Sequence, residues 1–267
     1  MTAALDDEAY AAHWRSWHDE HEIRRARPHG FLAITSMHWL DIEPQRFVDA
    51  PGTWSRDGLD VRVDLNDDEN LEIDGVRYFG HHVFTNVDES GFLATFADIV
   101  VEVCRRNDEL MIRPRDPKNP TRSGYAGTPT FPPSIRWVVD GTFVPLDAPR
   151  SITVATSAEG LTHVFESSGD IRCEIEQTTV RLTTFNDEDP DELFIVFTDL
   201  TSGSTTYGAC RFLSVAAPGP DGGVVVDFNR ATNPPCAYTD FTTCPLPPRT
   251  NHLNVRVEAG EMLPFGP

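Results

Sequence analysis

Two hydrophobic periods divide the chain. Over residues 7–27, Tyr10, Trp14, Trp17 and His21 fall at i, i+4, i+7 and i+11, so they line one face of a helix. Asp6 or Asp7 can cap its start, and "RPHG" stops it. A short apolar segment follows, "FLAITSMHWLD". From there the period is two. "LDVRVDL", "LEIDG", "FLATF", "IVVEVCR", "LMIRPR", "IRWVVDGTFV", "SITVAT", "LTHVFE", "IRCEIEQ", "TVRLTTF", "LFIVFTD", "TTYGACRFLSV", "GVVVDFN" and "LNVRVEA" all read as strands, punctuated by Gly, Asp, Asn and Pro. "DGLDV", "EIDGVRY" and "VVDGTFV" read as hairpin turns. The pattern predicts a mainly β protein with antiparallel sandwich or barrel-like sheets and one N-terminal helix. Residues 1–267 read as a single unit. A seam near "PLDAPR" would separate residues 1–147, the helix and a first β set, from 148–267, a second β set ending in a proline-rich loop. One domain or two is left open.

The 267 residues, 39% of them hydrophobic, suffice for a sizeable core. No run of 18 apolar residues predicts a membrane helix. The start "MTAALDDEAYAAHWRSWHDEHE" is acidic and amphipathic, unlike a signal peptide, so a cytoplasmic location is expected. Charge changes the picture more. Asp and Glu number 42 against 22 basic residues, for a net charge of −20, and Lys118 is the one lysine. Such a chain repels itself in dilute buffer, whereas molar salt shortens the Debye length to about 3 Å. This predicts a protein adapted to molar salt, as in a halophilic archaeon. The same surface argues against nucleic acid and against anionic membranes as partners. Oligomeric state is not legible.

Chemistry is sparse. No phosphate-binding glycine loop, no G-x-S-x-G elbow and no H-E-x-x-H motif is present, and no cofactor is expected. His18 and His21 lie three apart on the helix, but His21 continues the aromatic stripe and reads as a packed residue. His81 and His82 point to opposite faces of a strand. Of five cysteines, Cys104, Cys173 and Cys210 sit in strand-like runs and read as small buried hydrophobes. The odd count points to reduced thiols. Cys236 and Cys244 differ because proline flanks both. Their C-x₇-C spacing is a poor zinc signature even with His252 and Glu261 added, and no metal is assigned.

The costly segment is "DFNRATNPPCAYTDFTTCPLPPRTN", residues 227–251. Its prolines fix φ and remove donors, so it can hold side chains without a large ordering cost on binding. Asp199 ends one strand. Tyr207 and Arg211 are four apart in a predicted strand and would share a face, as would Asp227 and Asn229. A charge inside a strand needs a partner, so Arg211 is expected to pair with Asp199 or Asp227. Two readings stay open. In one the loop caps a pocket for a small polar or anionic ligand, lined by Tyr207, Arg211, Asn229, Arg230, Asn233 and Cys244, with Arg113 completing it. Cys236 would be a nucleophile, with Asp227 and Glu261 as acid–base groups, giving a hydrolase-type enzyme. In the other the loop and its ion pairs are structural, in a non-catalytic binding or interaction module.

The ordered strings "F.D.TSG..TYG..RFL", "DFNRA.NPPCAY", "CPLPP", "N.L" and "AGE" resemble the prokaryotic family called domain of unknown function 1684. "GFLAITSMHWL", "IRPRDP" and the stretch around "FPPSIRW" resemble its N-terminal part. The resemblance implies a mostly β fold and no established activity. Where members keep an "ENRL"-like segment, this chain has Thr250-Asn251-His252-Leu253, with His252 in place of the basic residue.

Overall fold

The computed structural model describes residues 7–187 and 189–264. Asp6 lies outside them. The chain forms two compact units. The smaller comprises Arg24–Tyr125 and Thr239–Thr242; the larger comprises Met1–Ile23, Ala126–Tyr238 and Thr243–Pro267. The architecture is mainly antiparallel β, with one long helix, α1 (Asp7–Arg25). Its stripe is buried at Tyr10 and Trp14.

The smaller unit contains ten strands: β1 (His38–Trp39), β2 (Gln45–Arg46), β3 (Thr53–Asp57), β4 (Asp60–Asp64), β5 (Leu71–Ile73), β6 (Val76–Tyr78), β7 (His81–Phe84), β8 (Phe92–Phe96), β9 (Ile99–Arg106) and β10 (Glu109–Arg115). They make one sheet of order β1-β10-β9-β8-β5-β6 and another of order β2-β3-β4-β7. Alternation in β4 sends Val61 and Val63 inward, where they meet Trp54, Leu71, Val101, Val103 and Ile112. The β5–β6 hairpin turns at Asp74 and Gly75 as expected, both with positive φ. Arg113 of β10 is not free for a ligand. It is buried and holds Glu102 of β9 at 2.5 Å.

The larger unit carries β11 (Val138–Ala155), β12 (Thr162–Ile175), β13 (Thr178–Asn186), β14 (Glu192–Phe197), β15 (Arg211–Ala216) and β16 (Gly223–Asp227), in the order β15-β14-β13-β12-β11-β16. The sheet curls until β15 and β16, its two ends, pack together into a nearly closed barrel. Its inner core includes Trp137, Ile171, Leu182, Ile195, Phe197 and Phe228.

Three readings of the pattern fail here. The seam at 145–150 falls inside β11, where a register shift between Pro145 and Arg150 marks a bulge rather than a boundary. "VVDGTFV" is no hairpin: Gly141 lies within β11, paired to Cys173 on one side and Val224 on the other. A Cβ there would sit 3.0 Å from Ile171 and 3.2 Å from Val224, so the glycine serves close packing. "LNVRVEA" forms no strand. Its polar backbone is met instead by the loop after β14: Leu200 N donates to Val255 O at 3.0 Å, and Val257 N to Asp199 at 2.5 Å.

Candidate functional site

The residues from Asp227 onward do not continue β16. The Asp227 side chain accepts from the Asn229 amide at 3.1 Å and turns the chain into a short 3-10 helix, Phe228–Arg230. Asp227 also accepts from the Tyr10 hydroxyl at 2.7 Å and pairs with Arg230 at 3.2 Å. Burial, then the Asp227 carboxylate, pushes the Tyr10 phenol far above its ordinary range. Trp14 Nε1 donates to Asn229 O at 2.8 Å, so α1 is stitched to this turn along its aromatic face. Asn229 spans to Ser134, donating to its carbonyl and accepting from its amide, both at 3.0 Å. Arg230 lies over the Trp17 ring at 5.2 Å. Asp227, Asn229 and Arg230 therefore sit together, engaged in docking α1.

The next turn of α1 brings candidate metal-donor side chains together. His18 and Glu22 are one helical turn apart, and Glu261 faces them. One donor atom from each lies within 4.8 Å of the other two. Glu261 is 2% exposed. Its Oε2 accepts from Asn233 N at 2.6 Å and Tyr238 Oη at 3.5 Å, while its Oε1 faces His21 Nε2 at 3.7 Å. Glu22 Oε1 faces His18 Nε2 at 3.9 Å, and Glu22 Oε2 accepts from Thr128 N at 3.3 Å. The His18 ring stacks on Trp14 at 4.7 Å, which fixes its orientation. Its Nε2 is buried and has no hydrogen-bond partner. Donor atoms around a tetrahedral zinc at about 2.0–2.2 Å lie about 3.3–3.6 Å apart. Closing this set around an ion requires side-chain rotations that bring the three donor atoms closer together than their present separations of up to 4.8 Å.

Gly260 delivers Glu261 to this position. Its φ is +75°, and a Cβ would lie 2.5 Å from Ala231 O and 2.9 Å from Phe228 O. Only glycine lets the chain pass so close beneath the 3-10 turn. Asn233 then ties the proline-rich segment to the same strip, donating its side chain to Met262 O at 2.7 Å.

Arg211 and Tyr207 do not meet on one face. The stretch before β15 is a turn, Thr201–Thr206, held by bonds to Thr201 O, so Tyr207 is outside the strand. Arg211 is sealed, with no exposed surface, and pairs with Asp199 rather than Asp227. Tyr207 Oη instead donates to Cys236 O at 2.8 Å, and Cys236 N donates to Cys244 Sγ at 3.3 Å. All five cysteines are free thiols. Cys104, Cys173 and Cys210 are buried, as their strand-like surroundings predict. His252, weighed with the cysteines as a zinc ligand, is engaged with Thr198 Oγ1 at 2.8 Å.

The model of the family described as Protein of unknown function (DUF1684) matches residues 123–262. The chain belongs to that family. A solution NMR structure of an uncharacterized protein from Haloarcula marismortui is similar at 26% identity, covering 53% of this chain and 79% of that chain with a TM-score of 0.45. No curated protein matches the chain.

The part matching domain of unknown function 1684 supplies Glu261, Asn233, Tyr238 and both loop cysteines, whereas His18, His21 and Glu22 precede it. Glu261, expected as an acid–base group, lies in this cluster. His18 and Glu22 were not expected there, because attention to the pair His18–His21 hides the i, i+4 pair His18–Glu22, which is the spacing that faces one site.

Proposed function

We propose that the larger unit is a divalent-cation site acting on a small polar ligand, with hydrolysis as its chemistry. One observation carries this: a buried carboxylate of Glu261, a second carboxylate of Glu22 and the Nε2 of His18, which makes no hydrogen bond, converge within 4.8 Å. Two carboxylates drawn together in a partly buried niche cost free energy unless a cation joins them. Mixed imidazole and carboxylate donors suit zinc or manganese better than calcium, whose shell is all oxygen. A bound ion would polarise a carbonyl or phosphoryl oxygen and make a bound water acidic. Tyr238 and Asn233, both bonded to Glu261, would orient that carboxylate.

A specific observation also supports the other reading, a binding module without catalysis. Arg211 and Asn229 are spent on internal bonds, so the groups best suited to an anionic ligand are committed to structure. The net charge of −20 supports work inside a cell at molar salt, with no nucleic acid partner.

The test is titration of metal-stripped full-length protein with zinc and with manganese, read by calorimetry and by melting temperature. One equivalent should bind and raise the melting temperature. His18→Ala and Glu261→Gln should each lose that gain. Equal gains in wild type and both variants would sink the metal site. Metal bound without turnover of aryl ester and phosphoester substrates would leave the binding module.

A further inference from the structure

The two loop cysteines lie outside the metal-ligand set, yet their surroundings are built. Cys244 is buried and held at both backbone atoms by Ser157: its N donates to Ser157 Oγ at 3.0 Å, and its carbonyl accepts from Ser157 N at 2.7 Å. Its sulfur receives the Cys236 amide at 3.3 Å. Cys236 is half-exposed, at the centre of the 3-10 turn Pro235–Ala237, and its carbonyl is gripped by Tyr207. Cys244, Tyr207 and Ser157 surround Cys236, and their polar groups favour its thiolate form. The remaining thiols have the opposite setting. Burial pushes Cys104 and Cys173 up to about 11 and Cys210 further still, whereas the Cys244 thiol, outweighing burial, brings Cys236 down to about 7.

We propose that Cys236 is a hydroperoxide-reactive thiolate and Cys244 its resolving partner, closing a reversible disulfide within the proline-rich loop. The Cys236 thiolate attacks the terminal oxygen of a hydroperoxide. An S–O bond forms, the O–O bond breaks, and the alkoxide or hydroxide leaves and takes up a proton. Cys236 is then a sulfenic acid. The Cys244 thiol loses its proton and attacks that sulfur; the S–S bond forms and hydroxide leaves as water. Two electrons have passed from the two sulfurs to the peroxide. The geometry fits because one sulfur already lies against the other's amide, in a segment stiffened by prolines on both sides.

The experiment treats full-length reduced protein with one equivalent of hydrogen peroxide, then blocks remaining thiols and digests with trypsin. Residues 231–249 fall in one fragment holding both cysteines and no other. That fragment should be lighter by two hydrogens and unlabelled, and a dithiol reductant should restore it. Cys244→Ser should instead leave a sulfenic acid at Cys236 that dimedone traps. Without any variant, iodoacetamide at pH 7 should label Cys236 more than about tenfold faster than Cys104, Cys173 or Cys210. A fragment of unchanged mass, sulfinic acid at Cys236 with Cys244 still free, or equal labelling of the four thiols would overturn the proposal.

Discussion

Arg211 and Asp199 meet at 3.3 Å, and neither side chain exposes any surface. The guanidinium also donates to the carbonyls of Ala259 and Val257, and it stacks over Phe197 at 5.0 Å. Asp199 in turn takes the Thr201 hydroxyl at 2.7 Å. This pair pins the irregular segment before Glu261 to the end of β14. Arg211→Ala would strand a buried carboxylate and two carbonyls, at a cost of about 3–5 kcal/mol. Urea denaturation of wild type and variant measures it. Unchanged stability would mean that Asp199 finds another cation.

Asn251 performs a similar task without charge. It is fully buried, accepts from Thr183 N at 2.7 Å, and donates to Thr183 O and Val196 O, both at 2.9 Å. One side chain thus bridges β13 and β14 where their ladder is interrupted. Asn251→Ala leaves three buried backbone groups unmet, each worth about 1–3 kcal/mol, so a loss above about 3 kcal/mol is expected. Asn251→Asp, which can only accept, should also destabilise. A variant within 1 kcal/mol of wild type by the same denaturation assay would show that water takes over these bonds.

The strand pattern was legible wherever one face is buried, as in β4 and β15, because alternation there is a direct record of inside and outside. It misled at 253–259. There Leu253, Val255, Val257 and Ala259 alternate into the core, yet side chains and loop carbonyls satisfy the backbone in place of a ladder. Arg211's pairing was legible from the cost of a lone buried charge, although choosing Asp199 over Asp227 needed the fold. The meeting of His18 and Glu22 with Glu261 was hidden because Glu261 is 239 positions beyond Glu22 in sequence, and no local spacing encodes such a meeting. The expected common face of Tyr207 and Arg211 failed because the turn at Thr201–Thr206 consumes the residues that would have extended β15.

Salt should stabilise the protein. With 42 acidic residues against 22 basic ones, folding concentrates like charge on the surface. At 1 M salt a Debye length of about 3 Å leaves little of that repulsion. Melting temperature should therefore rise steadily from dilute buffer to about 2–3 M KCl. The same rise should occur in NaCl at matched ionic strength if screening is the cause. Identical melts in dilute and molar salt would count against it.

Acid should act on the smaller unit through Glu102. Burial raises the affinity of this carboxyl for a proton, but Arg113 and Arg115 outweigh burial and hold it at about 2, against an ordinary 4.5. Its folded pKa is thus below its unfolded one. The stability it contributes is complete above about pH 4.5 and is lost as pH falls through 2. A shift of that size is worth about 3 kcal/mol. Glu102→Gln removes the titrating group and leaves Arg113 buried without its carboxylate. The variant should be less stable than wild type at pH 7, and the gap should close progressively between pH 4.5 and 2. Urea midpoints measured across that range, at constant ionic strength, decide it: a gap of constant size would show that Glu102 keeps an ordinary pKa in the folded chain.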